Sequence, residues 1–128
     1  MTEGTRITIT AGGISMDAHI LDTETAREIV SCLPITGRVN RWGEEIYFSI
    51  PVKMARENDA RDVVESGELG YWPDGTAFCI FFGKTPASRG DEIRAASPVN
   101  VFGRVEGDAT RFFSVKDGEE IVVTKKDL

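Results

Sequence analysis

Five side chains in this sequence are candidates for recognising a ligand: Arg41, Trp42, Tyr47, Tyr71 and Trp72. Aromatic rings offer large, rigid contact area and arginine offers a fork of donors, so recognition surfaces are enriched in both. Gathered on one face, they would hold a small molecule or an extended peptide in a shallow groove. Each also has a plainer use. Trp42 and Trp72 sit in turn-forming segments and fit the role of end plugs, while Arg41 can pair with Glu44 or Glu45. Phe82 and Phe102 lie within apolar strands and read as core.

A second chemistry is acid–base. The only histidine, His19, stands next but one to Asp17 on the polar face of a predicted strand, an arrangement that suits a general base with its carboxylate. The plainer reading is an exposed strand histidine. The two cysteines, Cys32 and Cys79, form no Cys-x-x-Cys pair and read as free, buried thiols. With one histidine and two cysteines, no zinc set of four such ligands can form within the chain. No metal or cofactor is expected.

Composition narrows the partners. A chain of 128 residues, 41% hydrophobic and 28% charged, fits a single domain over residues 1–128 with a real core. The formal net charge of −6 disfavours nucleic acid and anionic membrane surfaces. No apolar run approaches the ~20 residues of a membrane span. The opening Met-Thr-Glu-Gly-Thr-Arg lacks the apolar core of a signal peptide, so a cytoplasmic location is expected.

The element that must position these residues is the stretch Gly67 to Pro86. Its second half, Ala77 to Phe82, is wholly apolar. A strand with one wet face alternates, so this one is predicted to be covered on both sides. It is entered by a turn at Trp72-Pro73-Asp74-Gly75 and left at Gly83. Around it, Arg6–Thr10 and Ile14–Leu21 alternate about Gly12-Gly13 and predict a hairpin. Ala26, Ile29, Val30 and Leu33 form one apolar stripe on a predicted helix over about residues 22–33, capped by Asp22 or Thr23 and stopped by Pro34. Glu45–Ile50 alternates with Tyr47 outward. Val52–Asp62 is densely charged and reads as a solvated loop, with a lid over a groove as the alternative. Lys84–Ala96 reads as a long loop. Val99–Val105 reads as a strand with Val99, Val101, Gly103 and Val105 on one face and Asn100, Phe102 and Arg104 on the other. Thr110–Val115 fits a helical turn or a strand, and Glu120–Thr124 is a final strand after the Asp117-Gly118 turn. About eight short strands with one amphipathic helix predict a mainly β fold, a closed or nearly closed barrel capped by that helix.

Three segments resemble the small cyclophilin-like proteins of bacteria and archaea, a family without settled function. They are Asn40–Phe48, then Gly70-Tyr71-Trp72-Pro73-Asp74-Gly75 through Phe82-Gly83-Lys84-Thr85-Pro86, and Pro98–Val105. The resemblance to true cyclophilins is weaker: Val101-Phe102-Gly103-Arg104-Val105 is similar to their Val-Phe-Gly-Lys-Val, and Ala77-Phe78-Cys79-Ile80 to the Gln-Phe-Phe-Ile strand of their active site. It implies a closed eight-stranded barrel.

Cyclophilins rotate X-Pro bonds with an arginine, an apolar pocket for the proline ring, and a glutamine, tryptophan and histidine around it. Here Phe-His-Arg-Val is absent, Arg41 is the positional stand-in for the arginine, Ala77 stands in the glutamine's place, and no histidine lies between Lys84 and Val99. The expected function is therefore a module that binds a small ligand or a peptide without the full isomerase site. The alternative is a weak or divergent prolyl isomerase using Arg41.

Overall fold

Gly12 and Gly13 both adopt positive φ, +55° and +81°, and join β1 (Arg6–Ala11) to β2 (Ile14–Ile20) with Ala11 opposite Ile14. A two-residue hairpin loop with both φ positive matches the twist of its strands, and glycine adopts it without strain. The computed structural model describes residues 5–126. The helix forms where the stripe predicts, as α1 (Glu24–Ser31), and Thr23 is the residue that caps it: its Oγ1 accepts from the Ala26 N–H at 3.1 Å. Its buried face is Thr25, Ala26 and Ile29.

The other strands are β3 (Ile35–Arg38), β4 (Asn40–Arg41), β5 (Glu45–Ser49), β6 (Arg61–Val64), β7 (Glu68–Trp72), β8 (Ala77–Phe81), β9 (Ile93–Val105) and β10 (Glu120–Lys125). All pairs are antiparallel, in the order β3-β10-β1-β2-β9-β7-β8-β5-β4, with β6 on β9 beside that path. The prediction of a closed eight-stranded barrel is corrected on two counts: the described residues form ten strands, and the sheet is open. The end strands β3 and β4 are consecutive along the chain. Between them Val39 donates to the Glu119 carbonyl and accepts from the Gly118 N–H, each at 2.8 Å. The segment thus pairs first on the β10 side and then on the β5 side, and no ladder joins its two halves. Among the described residues no helix is long and apolar enough to cross a membrane.

The fully apolar strand β8 is buried along its whole length. Two separate clusters cover it. Phe78 and Ile80 face the main core with Phe48, Leu69, Phe102 and α1's Ile29. Ala77, Cys79 and Phe81 face a smaller cluster with Val64, Ala95 and Val99, supplied by β6 and the first half of β9. The stretch Ile93–Ala96, read as loop from sequence, is strand because it pairs with β6. Pro98 falls in the irregular stretch of the β6–β9 ladder, between the Arg94–Val63 and Val99–Arg61 pairs, a place where a missing N–H is tolerated. Phe102 is fully buried, as its apolar strand suggests, and Asn100 on the same face is fully buried with it. Both faces of this strand are covered, so alternation carries no information there. A Cβ on Gly103 would stand 2.5 Å from the His19 carbonyl oxygen, which accounts for glycine inside this strand. Thr110–Val115 resolves into a 3-10 helix, Ala109–Ser114.

The charged stretch between β5 and β6 is fastened to the core. The Tyr71 hydroxyl donates to the Val52 carbonyl at 2.6 Å and accepts from the Met54 N–H at 3.2 Å. Asn100 accepts from the Glu57 N–H at 2.8 Å and donates to the Ala55 carbonyl at 3.0 Å and to Thr25 Oγ1 at 3.1 Å. Thr25 in turn donates to a Glu57 carboxylate oxygen at 2.6 Å. The backbone of this stretch is therefore tied down even though most of its ionic side chains are solvated.

Candidate functional site

Strand β5 sends Ile46 and Phe48 into the main core, which turns Glu45 and Tyr47 to the opposite face of the sheet. Tyr47 lies across from Cys79 of β8, and Glu45 across from Phe81. The tight turn before β5 places Trp42 beside them, closed by the Trp42 N–H donating to the Glu45 carbonyl at 3.0 Å with Gly43 at φ +63°. Trp72 arrives from the end of β7. Its Nε1–H donates to Ser97 Oγ at 2.6 Å, and that hydroxyl donates to Asp74 at 2.7 Å. The ring folds back over the 3-10 turn Pro73–Gly75, where a Cβ on Gly75 would collide with it. Tyr47 and Trp72 meet edge to face, with centroids 6.1 Å apart at 77°.

These residues line a cavity of about 160 Å3, completed by Cys79, Ala95, Ala96 and Val99. Its polar feature is Glu45. The residue is only 5% exposed, and its Oε1 has no hydrogen-bond partner. Among the described residues no Lys or Arg pairs with it. The Cys79 thiol lies between the Glu45 carboxyl and the Ala77 carbonyl, 4.0 Å from Sγ, and offers only a weak donor to either. Burial without a counter-charge pushes the Glu45 carboxyl up to about 7, and the same burial, with Glu45 beside it, pushes the Cys79 thiol up. A carboxyl poised near neutrality inside an aromatic pocket can accept a hydrogen bond, pair with a cation, or hold a proton.

Three of the five residues named from sequence, Trp42, Tyr47 and Trp72, therefore share one pocket. Arg41 and Tyr71 do not line it. Arg41 is stapled to backbone carbonyls, donating to Val115 at 2.6 Å, to Phe113 at 3.0 Å and twice to Gly43 at 3.0 and 3.2 Å, with its guanidinium 5.3 Å from the centre of the Phe82 ring. Tyr71 is fully buried in the core, its hydroxyl taken up by Val52 and Met54. His19 is exposed, but its partner is Glu106, 2.8 Å away, and not Asp17, which holds Thr8 and Lys126. Cys79 is buried as expected, while Cys32 is half-buried, and both thiols are free. Glu45 and Ser97 were not singled out from sequence. From sequence Glu45 opens the strand Glu45–Ile50 and is a possible partner for Arg41; in the fold Arg41 turns to backbone carbonyls instead, and Trp42, Tyr47 and Trp72 line the pocket around the Glu45 carboxyl.

The Cyclophilin-like family model matches residues 5–124. The solution structure of a hypothetical protein from Archaeoglobus fulgidus is similar at 39% identity, covering 98% of each chain, with a TM-score of 0.81. No curated protein matches. The match spans nearly every described residue, and the resemblance read from Asn40–Phe48, Gly70–Pro86 and Pro98–Val105 falls within it. This chain belongs to the cyclophilin-like family.

Proposed function

We propose that this protein is a small-ligand-binding module whose site is the pocket of Trp42, Glu45, Tyr47 and Trp72. The observation that carries the reading is the Glu45 oxygen left without a partner in a cavity walled by aromatic rings. A buried polar atom without a partner costs about 1–3 kcal/mol, and a ligand that satisfies it recovers that cost on binding. Walls of apolar and aromatic side chains around few polar groups are the usual make-up of small-molecule sites. A cavity of about 160 Å3 takes a group near the size of a benzene ring. Cys79 on its floor belongs to the strand that resembles the active-site strand of cyclophilins. Nothing in the position of Arg41 favours isomerase chemistry, because its guanidinium is turned onto the carbonyls of Gly43, Phe113 and Val115.

Both tryptophans of the chain line the pocket, so intrinsic fluorescence reports on it directly. A fragment library screened by that signal is expected to yield ligands whose binding disappears in Tyr47→Ala and in Trp72→Ala, with the fold checked by circular dichroism. A library in which no fragment perturbs either tryptophan, or in which hits survive both substitutions, would overturn the reading.

A further inference from the structure

We propose that the group this pocket takes is a small organic cation, a protonated amine or amidine on a body no larger than a benzene ring, with Glu45 as its counter-ion. The proposal rests on the pocket being a binding site and names what enters it. Three observations converge. Glu45 is the carboxyl of the pocket, is almost wholly buried, and among the described residues has no basic partner and one oxygen with no donor at all. Trp42, Tyr47 and Trp72 supply the rings, and the electron-rich faces of such rings attract a cation. The ring of Trp72 is fixed in place through Ser97 and Asp74, so it meets the ligand with little ordering cost.

The alternatives fit less well. An anion would face Glu45 with no Lys or Arg among the described residues of the wall to offset it. A neutral apolar body would fill the cavity and leave the carboxyl oxygen unpaired. An ammonium or amidinium N–H satisfies that oxygen and supplies the missing positive charge in the same contact. Rotation about the last torsion of Glu45 exchanges its two oxygens, so either can meet the donor. Because the empty pocket holds the carboxyl near half-protonation, the cation enters by displacing a proton. Its affinity therefore rises with pH until the carboxyl is ionised.

The test uses the intact protein and three probes of one shape: benzylamine, benzyl alcohol and benzoate, titrated by tryptophan fluorescence. Benzylamine is expected to bind about tenfold tighter than benzyl alcohol near pH 8, and benzoate weakest. The benzylamine affinity is expected to fall about tenfold between about pH 8 and about pH 5.5, where the amine stays charged and Glu45 does not, while benzyl alcohol is unaffected. In Glu45→Gln the preference for benzylamine should vanish and benzyl alcohol should still bind. The pH series on the wild-type protein decides the same point without any substitution. Equal binding of amine and alcohol, or an amine affinity independent of pH, overturns the cation and leaves the small-ligand site standing. Failure of all three probes to perturb either tryptophan removes the site and the cation together.

Discussion

The indole N–H of Trp72 and the hydroxyl of Ser97 are 2.6 Å apart, and through that contact β9 sets the angle at which the Trp72 ring walls the pocket. Ser97 also donates to Asp74 in the turn that follows Trp72, so one hydroxyl links the ring, the strand and the turn. Ser97→Ala removes the anchor but no wall. The expected outcome is a folded protein whose affinity for a pocket ligand such as benzylamine falls about fivefold, the equivalent of one ordinary hydrogen bond of about 1 kcal/mol. Calorimetry on the variant checks the affinity. An unchanged value would mean that the ring is held by packing on Gly75 alone.

Glu45 sets the pH dependence of the empty protein. Its carboxyl is raised from an ordinary 4.5 to about 7 in the folded chain. Between those values the native state holds a proton that the unfolded chain has released, so stability falls as pH rises through the window and levels off above about 7. The total for this group is about 3 kcal/mol. Glu45→Gln, neutral at every pH, should remove that fall, making the variant more stable than wild type near pH 8 and little different near pH 4.5. Urea titrations across this range measure it. A wild-type curve that rises through the window in parallel with the variant's would show that Glu45 is ionised in the native state.

Tyr71 acts as a fastener. Its hydroxyl bridges the Val52 carbonyl and the Met54 N–H from inside the core. Tyr71→Phe should cost about 1–3 kcal/mol, because the ring still fills its space while two backbone groups lose their partner. Amide exchange should quicken around Met54 and remain slow in β8, and pocket affinity should hold. Asn100→Ala cuts the second fastening, to Glu57, Ala55 and Thr25, and is expected to cost at least as much, with the same loop exposed. Uniform exchange across the chain in either variant would deny the loop its local tether.

Arg41 is expected to matter for stability and not for binding. Its side chain gathers the carbonyls of Gly43, Phe113 and Val115, tying the turn before β5 to the 3-10 helix before β10. Arg41→Ala should lower stability by about 1–2 kcal/mol, in line with one charge-assisted hydrogen bond lost from the partly buried Val115 carbonyl, the bonds to Gly43 and Phe113 being exposed. The dissociation constant for a pocket ligand should move less than about twofold. A chymotrypsin-coupled proline-peptide assay on both proteins completes the comparison. Turnover in wild type that is lost in the variant would restore Arg41 as a catalytic group.

Much of the frame is local and could be read from residues. Gly12-Gly13 makes a hairpin because two positive φ angles admit little else. Thr23 starts the helix because its hydroxyl reaches the Ala26 N–H. The run Ala77–Phe82 demands cover on both faces because none of its side chains tolerates water. The sequence also marked Trp42, Tyr47 and Trp72, since rigid aromatic rings are the side chains that recognition surfaces favour. What it could not determine was which neighbours each side chain meets. Arg41 and Tyr71 look like ligand-binding residues by type, yet carbonyls contributed by residues as far along the chain as Val115 and Val52 claim them. Alternation groups Asn100 with both Phe102 and Arg104, an apolar and a charged neighbour, and only the fold shows that Asn100 is buried with the first. Glu45 reads as the first residue of a strand and a possible partner for Arg41. Only the folding of β6 and the first half of β9 over the outer face of β8 shuts water away from it, and that pairing joins residues far apart in the chain whose affinity for one another no local pattern records.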